Sequence, residues 1–100
     1  MDMSDLQKIK ETALNLKSPL KLHILNYLAK KDASNQEIFD DLKHTLKINY
    51  RTTIFEALKD LQEIGLVKKY YDNENNKLKY KLIIKKINID LDKLEIYFIE

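Results

Sequence analysis

Four stretches of the chain repeat apolar residues at helical spacing, and the stretch after Gly65 alternates apolar and polar residues instead. Apolar positions at i, i+3, i+4 and i+7 mark one face of a helix, whereas a period of two marks a half-buried strand. The pattern predicts a mostly helical α+β fold of four helices followed by a β-hairpin. The four stripes are Leu6/Ile9/Ala13/Leu16, Leu20/Ile24/Leu25/Leu28, Ile38/Phe39/Leu42/Leu46 and Ile54/Ala57/Leu58/Leu61.

Capping residues predict where each helix begins and ends. Two serine caps are followed three residues later by Gln7 and Glu37, the spacing of a capping box. Pro19 stands at a first helical position, where its missing N–H costs nothing. Gly65 is suited to the left-handed residue that ends the fourth helix. The predicted N-caps are Ser4, Ser18, Ser34 and Asn49.

The hairpin is predicted to have one apolar face and one lysine-lined face. Residues 66–71 form the first strand, and the Asn/Asp cluster at 72–76 forms the turn. From residue 77 the apolar face carries Leu78, Tyr80, Leu82 and Ile84, and the other face carries Lys77, Lys79, Lys81 and Lys85.

The last eleven residues allow two interpretations. Asp90 is a suitable cap for a short helix that turns Leu91, Leu94 and Phe98 inward. Residues 96–99 are equally compatible with a strand. The helix is favoured.

Composition limits the classes of function. A chain of 100 residues with 44% hydrophobic and 34% charged residues fits one globular domain, residues 1–100. Without cysteine and with one glycine, it has no disulfide, no thiolate zinc site and no glycine-rich phosphate loop. His23 and His44 lack metal-ligand spacing, and no nucleophile–base pair is visible. We therefore expect no catalytic residue, no bound metal and no cofactor, and we expect that the protein is not an enzyme.

Apolar runs and charge suggest where the protein acts. No run is long enough to span a membrane, and no signal peptide is visible at the N-terminus, so we expect a cytoplasmic protein. Residues 66–89 carry seven lysines against two carboxylates, although the whole chain has a net charge of only +2. A row of lysines on a hairpin suits contacts with the phosphates of double-stranded DNA.

The chain resembles ArsR-like winged helix-turn-helix regulators of the archaeal type. Residues 18–25 resemble their "NP-x-R-x-x-IL" opening, and Glu37-Ile38 with Leu42 resembles their "EI…L" segment. Residues 49–54, with Leu58, Leu61 and Gly65-Leu66-Val67, are similar to their "NYKTV…HL..L…GLV" recognition helix. The resemblance covers residues 18 to about 84.

The resemblance implies a dimeric, DNA-binding transcriptional regulator whose wing is residues 68–82. Chain ends usually pair in this family, so residues 1–17 and 90–100 are the expected dimerisation elements. The resemblance places DNA contacts at Arg51, Thr52, Thr53 and Glu56. With the exposed neighbours of these residues and the hairpin lysines, the candidate DNA-binding set is Arg51, Thr52, Thr53, Phe55, Glu56, Lys59, Lys77, Lys79 and Lys81.

Several features depart from the family pattern, among them the helix before the turn, which runs about one turn longer, through Leu46. Phe55 and Glu56 replace small or basic residues, and Glu56, Asp60 and Glu63 make the fourth helix locally acidic. An acidic recognition face favours the alternative, a winged helix that binds another protein and not DNA. The DNA interpretation requires the hairpin lysines and the fourth helix to lie together on one positively charged ridge.

Overall fold

The elements of the fold follow the predicted order as far as the first hairpin. The structure is a computed structural model that describes the backbone of residues 3–100 and the side chains of residues 5–100. Its α+β composition agrees with the prediction. The helices are α1 (Met3–Leu16), α2 (Pro19–Lys30), α3 (Asn35–Leu46) and α4 (Arg51–Glu63), and the strands are β1 (Val67–Asp72), β2 (Lys77–Leu82), β3 (Lys86–Asp90) and β4 (Glu95–Ile99).

The caps of α2 and α3 confirm the predictions made for them. Ser18 is extended, and its Oγ accepts a hydrogen bond from the Lys21 N–H at 3.3 Å. At α3 the Glu37 N–H donates to Ser34 Oγ at 3.2 Å, and the Ser34 N–H donates to Glu37 Oε1 at 3.1 Å. All three bonds satisfy backbone N–H groups that have no partner within the helix.

Two predicted helix starts are wrong. The N-cap of α4 is Tyr50, which makes no side-chain capping bond, and Asn49 lies one residue earlier. The left-handed Lys47 ends α3, and the Ile48 N–H bonds to the Lys43 carbonyl. Residues 48–50 lie outside any helix, and the extended Tyr50 directly precedes α4. The first helix already includes Met3, so Ser4 lies within it. The predicted capping bond of Ser4 falls outside the described side chains.

The core is built around α4, whose predicted stripe is buried completely. Ile54, Leu58 and Leu61 are inaccessible to solvent, and Ala57 is nearly so. The other helices contribute less of their predicted stripes, since Ala13 of α1 is exposed. The remaining buried members of the core are Ile24, Leu28, Ala33, Ile38, Leu66, Val67 and Tyr80.

Strands β1 and β2 form an antiparallel hairpin, which we call the first hairpin. Val67 pairs with Leu82, and Tyr71 pairs with Leu78. Between α2 and α3, Ala33 exchanges two backbone hydrogen bonds with Tyr80, at 2.8 and 3.2 Å. These bonds fix the hairpin to the start of α3. The prediction that Leu78 lies on the buried face is wrong in part, since it lies near the tip of the hairpin and is half exposed.

The favoured helix at the C-terminus is wrong, because residues 86–99 form a second antiparallel hairpin. Ile87 pairs with Phe98 and Ile89 pairs with Ile96, so all four share one face of the sheet. A helix over the last eleven residues alone would leave Ile87 and Ile89 without these partners. Asp90 caps the turn and not a helix, since its Oδ1 accepts a hydrogen bond from the Lys93 N–H at 3.1 Å.

Candidate nucleic-acid interface

The N-terminal ends of α3 and α4 lie side by side at the candidate site. Arg51 Nη1, in the first turn of α4, donates a 2.6 Å hydrogen bond to Gln36 Oε1 in the first turn of α3. Gln36 Nε2 in turn donates to Asp40 Oδ1 at 2.8 Å. The side-chain amide of Gln36 therefore holds the exposed Arg51 guanidinium at the N-terminal end of α4.

The exposed face of α4 contains all the helix residues predicted for the site. They lie away from the buried stripe, because positions between the apolar i, i+3, i+4 and i+7 residues point outward. Phe55 is 47% exposed, an unusual position for a large aromatic side chain. The exposed set is Arg51, Thr52, Thr53, Phe55, Glu56 and Lys59.

One of the acidic side chains of α4 forms an ion pair within the chain. Asp60 Oδ2 lies 2.9 Å from Lys21 Nζ of α2, so its charge is matched within the chain. Asp60 and Glu63 also line a cleft shared with α1, to which Glu11 contributes. Residues 51–59 of α4 thus carry Arg51 and Lys59 against Glu56 alone.

The predicted lysines of the first hairpin, Lys77, Lys79 and Lys81, form one row, as expected. Tyr80 lies between two of these lysines in the sequence, and its side chain is buried. Side chains alternate along a strand, so the lysine row lies on the opposite face of β2. Lys68 of β1 is directly opposite Lys81 and adds a fourth ammonium to this face. This face of the hairpin points away from the buried core.

Two members of this lysine row are paired with carboxylates. Lys77 Nζ lies 3.6 Å from Glu37 Oε1, with both side chains well exposed. Lys79 Nζ lies 3.0 Å from Asp72 Oδ2, and these two side chains are only 18% and 16% exposed. Among the described residues, Lys81 has no such partner. Carboxylates therefore interrupt the positively charged ridge that the DNA interpretation requires.

Hydrogen bonds keep these carboxylates ionised. The Asn75 amide, and after it Lys79, lower the pKa of Asp72 to about 2. The backbone N–H of Ser34 is the main cause that lowers the pKa of Glu37. Asp72 in turn raises the pKa of Lys79 by accepting its hydrogen bond. Near neutral pH each pair consists of two full charges, and a phosphate has to compete with a carboxylate for the lysine.

The first turn of α3 connects the lysine row to α4. Lys77 reaches Glu37, and the neighbouring Gln36 holds Arg51. Gln36 and Glu37 are neighbours in α3, so both predicted halves of the site contact its first turn. The lysine row nevertheless lies on the face of the hairpin opposite to the one that lines the groove with α4. The sequence pattern predicts only a capping role for Glu37, and nothing local in it points to the contact with Lys77.

Two further residues of the region were missed. Tyr70 Oη donates to Asp32 Oδ2 at 2.7 Å, and this bond raises the pKa of the phenol to about 12. Lys69 lies on the other face of the hairpin, opposite Tyr80. It lines a groove of about 380 Å³ between α4 and the hairpin, together with Phe55, Lys59 and the acidic Glu63. The strand register could have revealed Lys69, because its cross-strand neighbour belongs to the apolar set.

Comparison with known proteins assigns the chain to no family. No protein-family model matches it, and no curated protein has significant sequence similarity to it. Within residues 3–100, none of the helices combines the length and the apolar character that a membrane crossing needs. The same residues hold no cluster of three or more His, Asp or Glu side chains arranged to bind a metal ion.

Proposed function

We propose that the protein is a winged helix-turn-helix domain that binds duplex DNA as a homodimer and regulates transcription. The observation that carries the proposal is the junction of α3 and α4, where Gln36 holds Arg51 beside an exposed polar helix face. Such a face fits the major groove, whose width admits one α-helix. The first hairpin, attached to α3 through Ala33 and Lys77, serves as the wing.

The first two turns of α4 would read base edges. Arg51 has the geometry to bind the O6 and N7 atoms of guanine in a bidentate manner. Glu56 is an acceptor for the N4 amino group of cytosine, and Phe55 is an apolar partner for a thymine methyl group. Gln36 restricts the guanidinium before DNA arrives, which reduces the conformational entropy lost on binding.

The lysines would contribute affinity without sequence preference. Each phosphate that a lysine neutralises releases condensed counterions, so binding weakens as salt rises. The ion pairs indicate how available each of Lys77, Lys79 and Lys81 is to a phosphate. Lys81 is without a carboxylate partner in the described structure, Lys77 has an exposed one at 3.6 Å, and Lys79 has a sheltered one at 3.0 Å. We expect the contribution to DNA binding to fall in the order Lys81, Lys77, Lys79.

Fluorescence anisotropy of a labelled generic duplex, titrated at several salt concentrations, tests the proposal. The wild type should bind at low salt, with a steep linear loss of log affinity against log salt. Lys81→Ala should flatten that slope by about one unit. Lys79→Ala should flatten it by less than about half a unit. Lys93→Ala, in the exposed turn of the second hairpin, is the matched control and should leave the slope unchanged.

Two results would count against DNA binding. One is the absence of any anisotropy change at low salt. The other is a slope that Lys93→Ala flattens as much as Lys81→Ala does, because the attraction would then reflect overall charge and not the lysine row.

One observation favours a second candidate function, the binding of another protein. Phe55, Tyr71 and Leu78 are each about half exposed, and Tyr71 pairs with Leu78 directly across the first hairpin. Large exposed apolar side chains on a small protein are typical of interaction surfaces. If no duplex binds at low salt, this is the function that the surface supports.

A further inference from the structure

The outer edge of β3 is a strand edge without a partner. β3 pairs with β4 in a sheet of two strands, and no third strand joins that sheet within residues 3–100. An open edge presents backbone N–H and C=O groups that a further strand can bind. Natural proteins usually protect such edges, so an open one suggests that a strand from elsewhere covers it.

The sequence of β3 is complementary to itself when reversed. The strand reads Lys86, Ile87, Asn88, Ile89, Asp90. In an antiparallel pair of two such strands centred on Asn88, Lys86 of one faces Asp90 of the other and Ile87 faces Ile89. Opposite charges and β-branched side chains placed directly across antiparallel strands both stabilise the pairing.

Strand β4 lacks this property. Two copies of Glu95–Ile99 paired about Tyr97 would place the carboxylate of Glu95 opposite the apolar side chain of Ile99. Within the second hairpin, complementarity therefore favours β3.

The hairpin alone also has a charge imbalance that a second β3 would relieve. Asp90 is directly opposite Glu95, and like charges in this position destabilise an antiparallel pair. No described cation forms an ion pair with either carboxylate. A second copy would place its Lys86 beside Asp90. It would also cover Ile89, which is 43% exposed, with its Ile87.

We propose that β3 pairs antiparallel with β3 of a second copy, so that the two hairpins form one four-stranded sheet across the two-fold axis of a homodimer. The proposal rests on the homodimer of the proposed function but not on its DNA contacts. The two-fold axis runs perpendicular to such a sheet. Each α1 packs on the same face of its own hairpin, so both α1 helices lie on one side of the dimer.

Charge-swap variants provide the test, with sedimentation equilibrium as the measurement. Lys86→Glu places two carboxylates opposite each other in each contact, and Asp90→Lys places two ammonium groups there. Each variant alone should dimerise at least about tenfold more weakly than the wild type. An equimolar mixture should form a heterodimer, because each contact then pairs opposite charges again. Lys85→Glu, the same reversal just outside the paired strand, should dimerise like the wild type.

Recovery in the mixture separates loss of pairing from loss of folding, since misfolded chains would not recover. Three results would overturn the proposal: a wild type that is monomeric at high micromolar concentration, single variants that dimerise as well as Lys85→Glu, or a mixture that forms no heterodimer.

Anisotropy with a generic duplex, measured on the same samples, separates this proposal from the DNA-binding one. A monomer that binds duplex would overturn β3 pairing and support DNA binding. A β3-paired dimer that ignores duplex would support the interface and overturn the proposed DNA contacts.

Discussion

At the scale of single residues, several carboxylates and serine hydroxyls hold backbone N–H groups at the ends of elements. Ser34 and Glu37 close the start of α3 reciprocally. Asp72 accepts from the Glu74 N–H at 3.0 Å and from Asn75 Nδ2 at 2.7 Å in the turn of the first hairpin. Both carboxylates also bind a lysine of the proposed wing, so local stability and the charge available to DNA depend on the same atoms.

Removing the cap of α3 should destabilise the whole fold. Ser34→Ala leaves the Glu37 N–H without its acceptor, and we expect a loss of about 1 kcal/mol in the free energy of unfolding. Urea denaturation measures the loss. Thr45→Ala, at an exposed position near the end of α3, is the control and should change stability by less than about 0.5 kcal/mol. Equal effects of the two substitutions would contradict the capping role.

Asp72 should make stability depend on pH in the acidic range. Its pKa of about 2 in the folded protein lies below the ordinary value of 3.8, so its stabilising contribution is complete above about pH 4 and is lost as pH falls towards 2. Asp72→Asn should therefore be less stable than the wild type near neutral pH, and the difference should shrink on acidification. Urea denaturation at several pH values measures it.

The control for this pH series is Asp92→Asn, an exposed position in the turn of the second hairpin. It should change stability little at any pH. A constant difference between Asp72→Asn and the wild type from neutral to acidic pH would show that the charge of Asp72 contributes nothing.

At the scale of elements, helices α2, α3 and α4 could be predicted because their signals are local. Apolar stripes and caps involve residues at most a few positions apart, and the buried stripe of α4 was predicted residue by residue. The second hairpin could not be predicted in the same way. Its strands have five residues each, too short for periodicity to distinguish strand from helix, and the pairing of β3 with β4 decided the structure.

The passage from α4 to β1 depends on the backbone freedom of Gly65. Its φ is +84°, a region that side chains disfavour, and an added Cβ would meet only Phe98 Cε2, at an ordinary 4.0 Å. Gly65→Ala should therefore cost about 1–2 kcal/mol through backbone strain alone. Thermal or urea denaturation checks this value, with the exposed Gln62→Ala as control. A neutral Gly65→Ala would mean that the chain can leave α4 by another route.

At the scale of the whole molecule, the second hairpin is held to the rest of the protein through α1 and the core. Phe98 and Ile87 pack against the buried cluster, and Lys8 of α1 lies over the Phe98 ring. The proposed DNA surface, formed by α3, α4 and the first hairpin, involves none of these contacts. The second hairpin is thus available to join two copies while α4 remains exposed.

Loss of the Phe98 ring should loosen the second hairpin selectively. Phe98→Ala removes the whole ring of a side chain that is partly buried. We expect the free energy of unfolding to fall by up to about 2 kcal/mol. Hydrogen exchange should quicken in β3 and β4 more than in α4. Tyr97→Ala, on the opposite face of the same strand, is the control and should have a smaller effect. Uniformly faster exchange throughout the chain would contradict a separately attached hairpin.

The sequence by itself determined helices α2, α3 and α4, the first hairpin and the residues that α4 exposes. The reason is that capping and periodicity act between close neighbours in the chain. Only the tertiary structure decided which lysines meet a carboxylate. Lys77 and Glu37 belong to different elements, and packing alone brings them within 3.6 Å. The same is true of the C-terminal segment, where backbone hydrogen bonds between two short strands settled what local preference left open.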